Sequence, residues 1–346
     1  MRSIHRRGFF TWSFFAPSLI APKVLCAQQR LEKLKVSIAV EGRSDISLLP
    51  LTIADRLGYF RAQGVEVDII DLPSASSALQ ALISGVVQVG AGSYEQMLAI
   101  ASRGHFLQSF VVMGRLPAIA MGISIRNLPH FKTVADLKEK RIGVGAFGSA
   151  SHAIALWVLQ QAGLTPTDVN WVHFDNSADV LASFQSNQID ALSYGDPVVT
   201  QLEHRRLVHL IADSRTLEGT QALFGGPLPC ACLYTHGTFL QQNPVTAQAI
   251  ANAVMRALKW LQTAGPSDIM KAIPESFMLG DRALYLAAIN KGREAVSSDG
   301  MMPKGGPAIS YGLFKGLKSV AGADRVDLVK TYTNDFVAAA NMHFKK

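Results

Sequence analysis

From Leu34 onward, strand-like and helix-like patterns alternate at short intervals, and this alternation limits the possible folds more than any other feature. Alternating apolar residues predict strands at 34–40 and 65–72, and segment 48–60 between them has apolar residues at helical spacing. Strands that alternate with helices form βαβ units, whose strands are largely parallel. We therefore predict an α/β fold.

Two stretches of the chain resemble each other at a nearly constant offset. Segment 67–71 matches 171–175 at an offset of 104, and 79–89 matches 181–191 at an offset of 102. Any two βαβ units share part of this pattern, but the constant offset favours two similar α/β lobes. We expect the chain to cross between them near Arg126 and Cys230. Lobe 1 would then comprise 28–126 and 231–346, and lobe 2 would comprise 127–230.

The first 27 residues have the composition of an export signal peptide. A basic start is followed by an apolar stretch that ends at the small residue Ala27. Pro17 and Pro22 interrupt this stretch, which makes it a poor membrane anchor. The paired Arg6 and Arg7 fit a twin-arginine signal and an ordinary secretory signal equally well. We expect a periplasmic protein whose mature form starts at residue 28.

Charge and cysteine content exclude several classes of function. The formal charge is +7, but residues 1–27 hold four basic residues and no acidic one, which leaves +3 for the remainder. This mild balance is not that of a nucleic-acid-binding protein. Cys230 and Cys232 lie two residues apart on a predicted strand, where burial as small apolar residues is the favoured interpretation. Without paired Cys-x-x-Cys or His-x-x-x-His motifs, we expect no structural metal and no cofactor.

Three segments of the sequence carry a family resemblance. They are 50–67, with Ala54, Gly58, Phe60, Gly64 and Val67; 81–90, with Ala81, Leu82, Gly85 and Gly90; and 133–144, with Asp136, Leu137, Lys138 and Lys140. They resemble segments of periplasmic solute-binding proteins of the nitrate/sulfonate/taurine class, which also covers thiamine-pyrimidine precursors. Gln88 stands where an acidic residue is usual in that family, and Glu139 replaces a glycine.

The resemblance implies a type II periplasmic-binding fold, in which two α/β lobes close on a small molecule. It further implies a monomer without catalytic activity that delivers its ligand to the membrane permease and ATPase of an ABC importer. One alternative is an enzyme on the same fold related to thiamine-pyrimidine synthesis, although this sequence lacks the cysteine-rich iron-site segment of that enzyme. A sensor domain is a further alternative.

Loops at the carboxyl ends of predicted strands give the candidate binding site, because ligands of open α/β sheets bind there. Four loops qualify, two in each lobe. Their candidate ligand-binding residues are Ser44, Asp45, Ser93, Tyr94, Phe147, Ser149, Ser151, His152, Tyr194 and Asp196. Each has a structural alternative: the serines and Asp196 as helix caps, the aromatic residues as core, Asp45 as a solvated acid and His152 as a surface residue.

The same loops limit the chemistry of the ligand. Helix starts at Ser93 and Ser151 offer N–H groups to an anionic or carbonyl oxygen. Asp45 and Asp196 would repel an inorganic anion. The aromatic candidates Tyr94, Phe147 and Tyr194 offer flat apolar area that a small inorganic anion cannot contact favourably, so nitrate fits worst. We expect a small organic ligand with an anionic or carbonyl end, of the sulfonate, carboxylate or pyrimidine type.

Overall fold

A computed structural model of the chain describes residues 30–317 and 326–344, and its strands form two five-stranded sheets. The first contains β1 (Lys35–Glu41), β2 (Glu66–Leu72), β3 (Val89–Ser93), β4 (Leu107–Val112) and β10 (Ala231–His236), in the order β2-β1-β3-β10-β4. The second contains β5 (Ile119–Ser124), β6 (Arg141–Val144), β7 (Asn170–His173), β8 (Ala191–Gly195) and β9 (Val208–Asp213), in the order β7-β6-β8-β5-β9. The predicted export signal at 1–27 lies outside the described residues.

The two sheets share one arrangement of strand order and direction. In each, three strands pair in parallel, and the strand after them (β10 beside β3, β5 beside β8) pairs antiparallel. The helices α3 (Ala75–Ile83) and α6 (Ser177–Gln185) start 102 residues apart, as do β3 and β8. The prediction of an α/β fold with two similar lobes is therefore confirmed.

The first passage between the sheets comes earlier than the sequence suggested. We expected it near Arg126, but β5 pairs with β8 and β9, so it belongs to the second sheet and the chain crosses within 113–118. An apolar segment such as 119–124 shows that a strand forms, but not which distant strand it joins. The second passage lies between β9 and β10, an interval that includes Cys230.

Helices cover the faces of both sheets. They are α1 (Leu49–Arg56), α2 (Tyr59–Ala62), α3, α4 (Tyr94–Ala101), α5 (Ala150–Gln161), α6, α7 (Val198–His204), α8 (Leu217–Phe224), α9 (Gly237–Gln242), α10 (Pro244–Thr263), α11 (Pro266–Ala272), α12 (Arg282–Gly292), α13 (Gly306–Gly316) and α14 (Asp335–Phe344). None of the described helices combines the length and the apolar character that a bilayer crossing requires. The helix predicted at 48–60 is interrupted at Gly58, whose φ of +70° is a left-handed conformation that favours glycine.

The C-terminal helices contact both lobes, although the sequence assigned 231–346 to the first. The apolar face of α10 is buried in the first-lobe core, as its spacing predicts, and α12 contributes Tyr285 and Ile289 to the same core. However, α12 also packs against α7 of the second lobe, and the Gln160 amide of α5 donates a hydrogen bond to the carbonyl of Gly316 in α13.

Candidate functional site

A cavity of about 560 Å³ lies between the two lobes, at the carboxyl ends of their parallel strands. Its lining comes from the residues that follow β1, β2 and β3 in the first lobe and β6, β7 and β8 in the second. Ligands occupy this position in open α/β sheets, and pockets for small organic molecules measure roughly 300–1,000 Å³. The cavity therefore has the place and the size of a small-molecule site.

Most of the residues predicted from the sequence meet in this cavity. Those that line it are Ser44, Asp45, Ser93, Ser149, Ser151, Tyr194 and Asp196. They come together because equivalent loops of the two lobes face each other across the cleft. Tyr94, Phe147 and His152 are not part of the lining.

Tyr94 points away from the cavity, so the prediction that it contacts the ligand is wrong. The residue is fully buried in an apolar cluster of the first lobe, and its hydroxyl forms a hydrogen bond with the hydroxyl of Thr331. Ser93 ends β3 and faces the cleft, and the next residue opens α4 on the core side of the same turn. The core interpretation of Tyr94 is the correct one.

Phe147 and His152 belong to an aromatic cluster of the second lobe. The Phe147 ring centroid lies 5.3 Å from that of His152 and 5.6 Å from that of His173, and His152 lies 4.8 Å from Trp171. The His152 Nδ1 accepts the backbone N–H of Gly148 at 3.1 Å, and burial lowers the pKa of His152. This neutral ring supports the loop that precedes α5 and does not line the cleft.

Ser149 and Ser151 at the start of α5 both line the cavity, and Ser149 also caps the helix. Ser149 caps α5 by accepting the N–H of His152 at 3.4 Å, and its hydroxyl lies 2.9 Å from that of Ser151. The Ser151 hydroxyl also accepts the N–H of Gly145 at 2.9 Å. The capping and the lining roles that the sequence left open therefore coexist at this turn.

Three acidic residues of the lining, Glu41, Asp71 and Asp175, were not among the candidates from the sequence. Glu41 ends β1, so the rule about carboxyl ends of strands could have identified it. Asp71 and Asp175 correspond in the repeat at the offset of 104; Asp71 lies near the end of β2, and Asp175 follows β7 by two residues. The repeat was thus the signal that could have identified this pair.

The first-lobe carboxyl groups lie close enough to act on one another, with Glu41 and Asp45 half-buried and Asp71 exposed. Burial, together with the nearby Asp45 and Asp71, raises the pKa of Glu41 to about 7. Burial also raises the pKa of Asp45 and of Asp71, although backbone N–H groups oppose this effect. Those donors are Ser47 to Asp45 at 2.8 Å, and Gly42 and Arg43 to Asp71 at 3.0 and 3.3 Å. The backbone donors offset only part of the effect of burial, so the pKa of each carboxyl group stays above its ordinary value.

Asp196 lines the cleft from the second lobe and is paired with a buried arginine. The Arg215 side chain is 1% exposed, and its guanidinium lies 3.3 Å from Asp196, 3.0 Å from Glu203 and 2.7 Å from Asp213. Burial raises the pKa of Asp196, and Arg215 acts against that rise. Glu203 also pairs with Lys291 of α12 at 2.9 Å, so the network extends from the cleft to a helix of the first-lobe core.

The lining offers little to a metal ion. Within 30–317 and 326–344, no group of three or more His, Cys, Asp or Glu residues is arranged to hold one. Cys230 lines the cavity and Cys232 lies in the core, both as free thiols. Burial raises the pKa of Cys230 and raises that of Cys232 to about 12, so both thiols are protonated at neutral pH and are weak nucleophiles.

Solved structures with the same architecture are periplasmic binding proteins. The chain resembles the alkanesulfonate-binding protein of Xanthomonas axonopodis pv. citri, bound to MOPS, with a TM-score of 0.67 and 19% identity over 88% of this chain and 100% of that one. A protein of Bordetella bronchiseptica RB50 is more similar, with a TM-score of 0.87 and 42% identity over 92% of this chain and 100% of that one. The two lobes and their cleft thus form the type II periplasmic-binding fold.

The chain belongs to the NMT1/THI5-like family, whose model matches residues 46–266. It is 28% identical over 176 residues to an Escherichia coli K12 protein provisionally named for binding aliphatic sulfonates. That match covers 51% of this chain and 54% of the relative, about half the length of each. It is also 29% identical to the 4-amino-5-hydroxymethyl-2-methylpyrimidine phosphate synthase of Schizosaccharomyces pombe, over 60% of each chain.

Proposed function

We propose that this chain is the solute-binding component of an ABC importer. It would be exported to the periplasm, hold a small organic ligand between its lobes and deliver it to a membrane permease and ATPase. The observation that carries this proposal is the cavity of about 560 Å³, lined by equivalent loops of two similar lobes. The family membership and the binding proteins among the relatives support it.

Of the three ligand types expected from the sequence, the pyrimidine type fits the lining best. A sulfonate or carboxylate group would face several carboxyl groups of the protein, which repel it. A pyrimidine can direct amino groups at those carboxyl groups, and its ring can lie against Tyr194 or Phe174 of the lining. The carbonyl end that we expected remains compatible with the helix starts at Ala150 and Ser177.

The alternative is an enzyme of thiamine-pyrimidine synthesis, which the match to the Schizosaccharomyces pombe synthase favours. The more numerous matches to binding proteins weigh against it. Because the Cys230 thiol of the cleft is kept protonated by burial, it does not supply a ready nucleophile. We therefore assign binding without turnover.

A thermal-shift screen of the mature protein tests this assignment. The panel contains sulfonates, carboxylates, pyrimidines and amines, and each compound is recovered afterwards for mass spectrometry. A ligand at about 100 times its Kd should stabilise the folded protein by about 2.7 kcal/mol and be recovered unchanged. Chemical conversion of a stabilising compound would contradict the binding role.

A pair of variants locates the site. Ser44→Trp places a large ring in the cavity and should abolish the thermal shift, because Ser44 is part of the lining. Ser84→Trp introduces the same ring at the exposed end of α3 and should leave the shift unchanged. A shift that survives Ser44→Trp would place the ligand outside the cleft.

A further inference from the structure

The charge of the cleft lining is strongly one-sided. Of the residues at 30–317 and 326–344, five with carboxyl side chains line the cavity, and no lysine, arginine or histidine does. The five are Glu41, Asp45, Asp71, Asp175 and Asp196. Among the described residues, only Asp196 of these five forms a salt bridge, to Arg215. The nearby Arg43 guanidinium pairs with Asp55 at 2.7 Å, and its charge also opposes the rise that burial causes in the pKa of Asp71.

Several backbone N–H groups around the cleft are occupied by these same carboxyl groups. Asp71 accepts the N–H groups of Gly42 and Arg43. In the same way, Asp45 accepts the N–H of Ser47 at 2.8 Å, and Asp196 accepts that of Thr200 at 2.8 Å. An anion entering the cleft would therefore meet repulsion from the carboxyl groups, which the N–H groups at the helix starts of the lining would have to offset.

A buried hydroxyl lines the cavity without a well-formed hydrogen bond. Ser93 is 7% exposed, and its Oγ forms no hydrogen bond of ordinary geometry with the described residues. The Glu95 carboxyl lies near enough for this hydroxyl to oppose the rise that burial causes in the pKa of Glu95, so Glu95 is a weak partner. A polar group of a ligand of either charge can complete the hydrogen bonding of this Oγ.

We propose that the ligand of this cleft is a small organic cation. Its ammonium or amidinium group lies among Glu41, Asp45 and Asp71, and its apolar body lies against Tyr194. These three carboxyl groups surround one loop, because Gly42 donates its N–H to Asp71 and accepts the N–H of Asp45 with its carbonyl. The inference rests on the proposed binding function and adds the charge class of the ligand.

Because Glu41 titrates near neutral pH, the affinity of the cleft for a cation should depend on pH. Asp45, Asp71, Tyr194 and Tyr234 are the titratable groups that act on Glu41, and all of them are acids. Because burial and the two aspartates raise the pKa of Glu41 to about 7, part of this carboxyl is protonated at neutral pH in the empty cleft. A bound cation favours the ionised form, so cation affinity should rise several-fold from about pH 6 to about pH 8.

Three probes of one shape and different charge test the proposal. Benzamidinium, benzamide and benzoate carry charges of about +1, 0 and −1 on the same ring, and calorimetry measures their binding to the mature protein at low salt. We expect benzamidinium to bind at least about tenfold more tightly than benzoate, with benzamide between them. Equal or tighter binding of benzoate, or no measurable binding of benzamidinium, would overturn the proposal.

Two matched variants connect the effect to the cleft. Asp71→Asn keeps the side-chain shape and an acceptor for the loop N–H groups but removes one charge, so it should weaken benzamidinium binding by at least about threefold. Asp68→Asn makes the same change on β2 at an exposed position outside the lining and should have no effect. Equal benzamidinium affinities of the two folded variants would also overturn the proposal.

The outcomes separate the charge class from the binding function itself. Tighter binding of benzoate that is lost in Ser44→Trp overturns the cation assignment but leaves a small-molecule site in the cleft. Binding of any of the three probes that persists in Ser44→Trp contradicts both the cation assignment and the proposed site.

Discussion

Arg215 connects Asp196 of the cleft lining to a buried ion network of the second lobe. It is 1% exposed and forms ion pairs with Asp196, Asp213 and Glu203. Arg215→Leu would remove the ion-pair partner of Asp196 and Asp213 and leave Glu203 paired with Lys291, so we expect the free energy of unfolding to fall by about 3–5 kcal/mol. Urea unfolding measures this change.

The matched control for this prediction is Arg282→Leu. Arg282 pairs with Glu275 at 2.7 Å, but the two side chains are 66% and 77% exposed, so its loss should change the free energy of unfolding by less than about 1 kcal/mol. Similar losses in both variants would show that the Arg215 network is not a buried ion cluster.

Glu41 gives a prediction about the pH dependence of stability. Its pKa is raised from 4.5 to about 7 in the folded protein. The contribution of Glu41 to the free energy of unfolding is therefore complete below the unfolded pKa and is lost as the pH rises through about 7. In Glu41→Gln there is no carboxyl group to ionise, so the variant does not lose this stability. Relative to the wild type, the variant should gain up to about 2 kcal/mol between about pH 5 and about pH 8.

The control for the pH effect is Glu66→Gln, an exposed position on β2. The account of Glu41 would be contradicted if the two variants showed the same pH dependence in urea unfolding.

Residues at the ends of strands and starts of helices were predictable because local sequence determines these positions. The start of α5 is an example: the sequence placed it at Ser151, and the structure places it one residue earlier, with Ser149 as the cap. The orientation of the Tyr94 side chain was not predictable, because its hydroxyl bonds to Thr331, in a C-terminal segment that is distant in sequence. Asp71 and Asp175 could have been predicted from the repeat, because an acidic residue occupies the corresponding position in each lobe.

At the scale of elements, Gly58 separates two helices that an apolar pattern would join. Its φ of +70° strains any residue with a Cβ, whereas the space around a Cβ there is open apart from the flexible Arg61 side chain. Gly58→Ala should therefore destabilise the fold by about 1–2 kcal/mol through backbone strain. Thermal unfolding measures this effect.

Gly312→Ala serves as the opposite control for the glycine prediction. Gly312 lies inside α13, where a Cβ would meet no atom of the described side chains and backbone within 4 Å. Alanine there should stabilise the protein by about 0.5–1 kcal/mol, because it restricts the unfolded chain. A destabilisation at Gly312, or none at Gly58, would contradict this account of the two positions.

Elements with strong local patterns were predicted well, and those defined by distant partners were not. The parallel strands and their following helices appear where the periodicity places them. β9 and α8 were not recognised, and β5 was assigned to the wrong lobe, because its partners β8 and β9 come about 70 to 90 residues later. Such pairings depend on tertiary contacts that hydrophobic periodicity does not record.

At the scale of the whole molecule, two adjacent passages connect the lobes. The N–H groups of Met113 and Gly114 donate to the carbonyl of Ala231, and the N–H of Cys230 donates to that of Gly114. Such paired segments form a narrow connection about which two lobes can rotate. The contacts of α12 with α7 limit this rotation, and Lys291–Glu203 is the ion pair in that contact.

Ligand-driven closure is the expectation that follows from this connection. The cavity lining comes from both lobes, so a ligand that contacts both sides favours the closed arrangement. The radius of gyration should then decrease when the cleft is filled. Ser44→Trp, which blocks the cavity, should show no ligand-dependent decrease.

Small-angle X-ray scattering with the most strongly stabilising compound of the thermal-shift panel tests the central claim most directly. The claim is that this chain is a two-lobed binding protein whose cleft closes on a small ligand. It predicts a smaller radius of gyration for the saturated wild type than for the free protein, and no such change in Ser44→Trp. An unchanged radius in a wild-type sample that calorimetry shows to be saturated would contradict it.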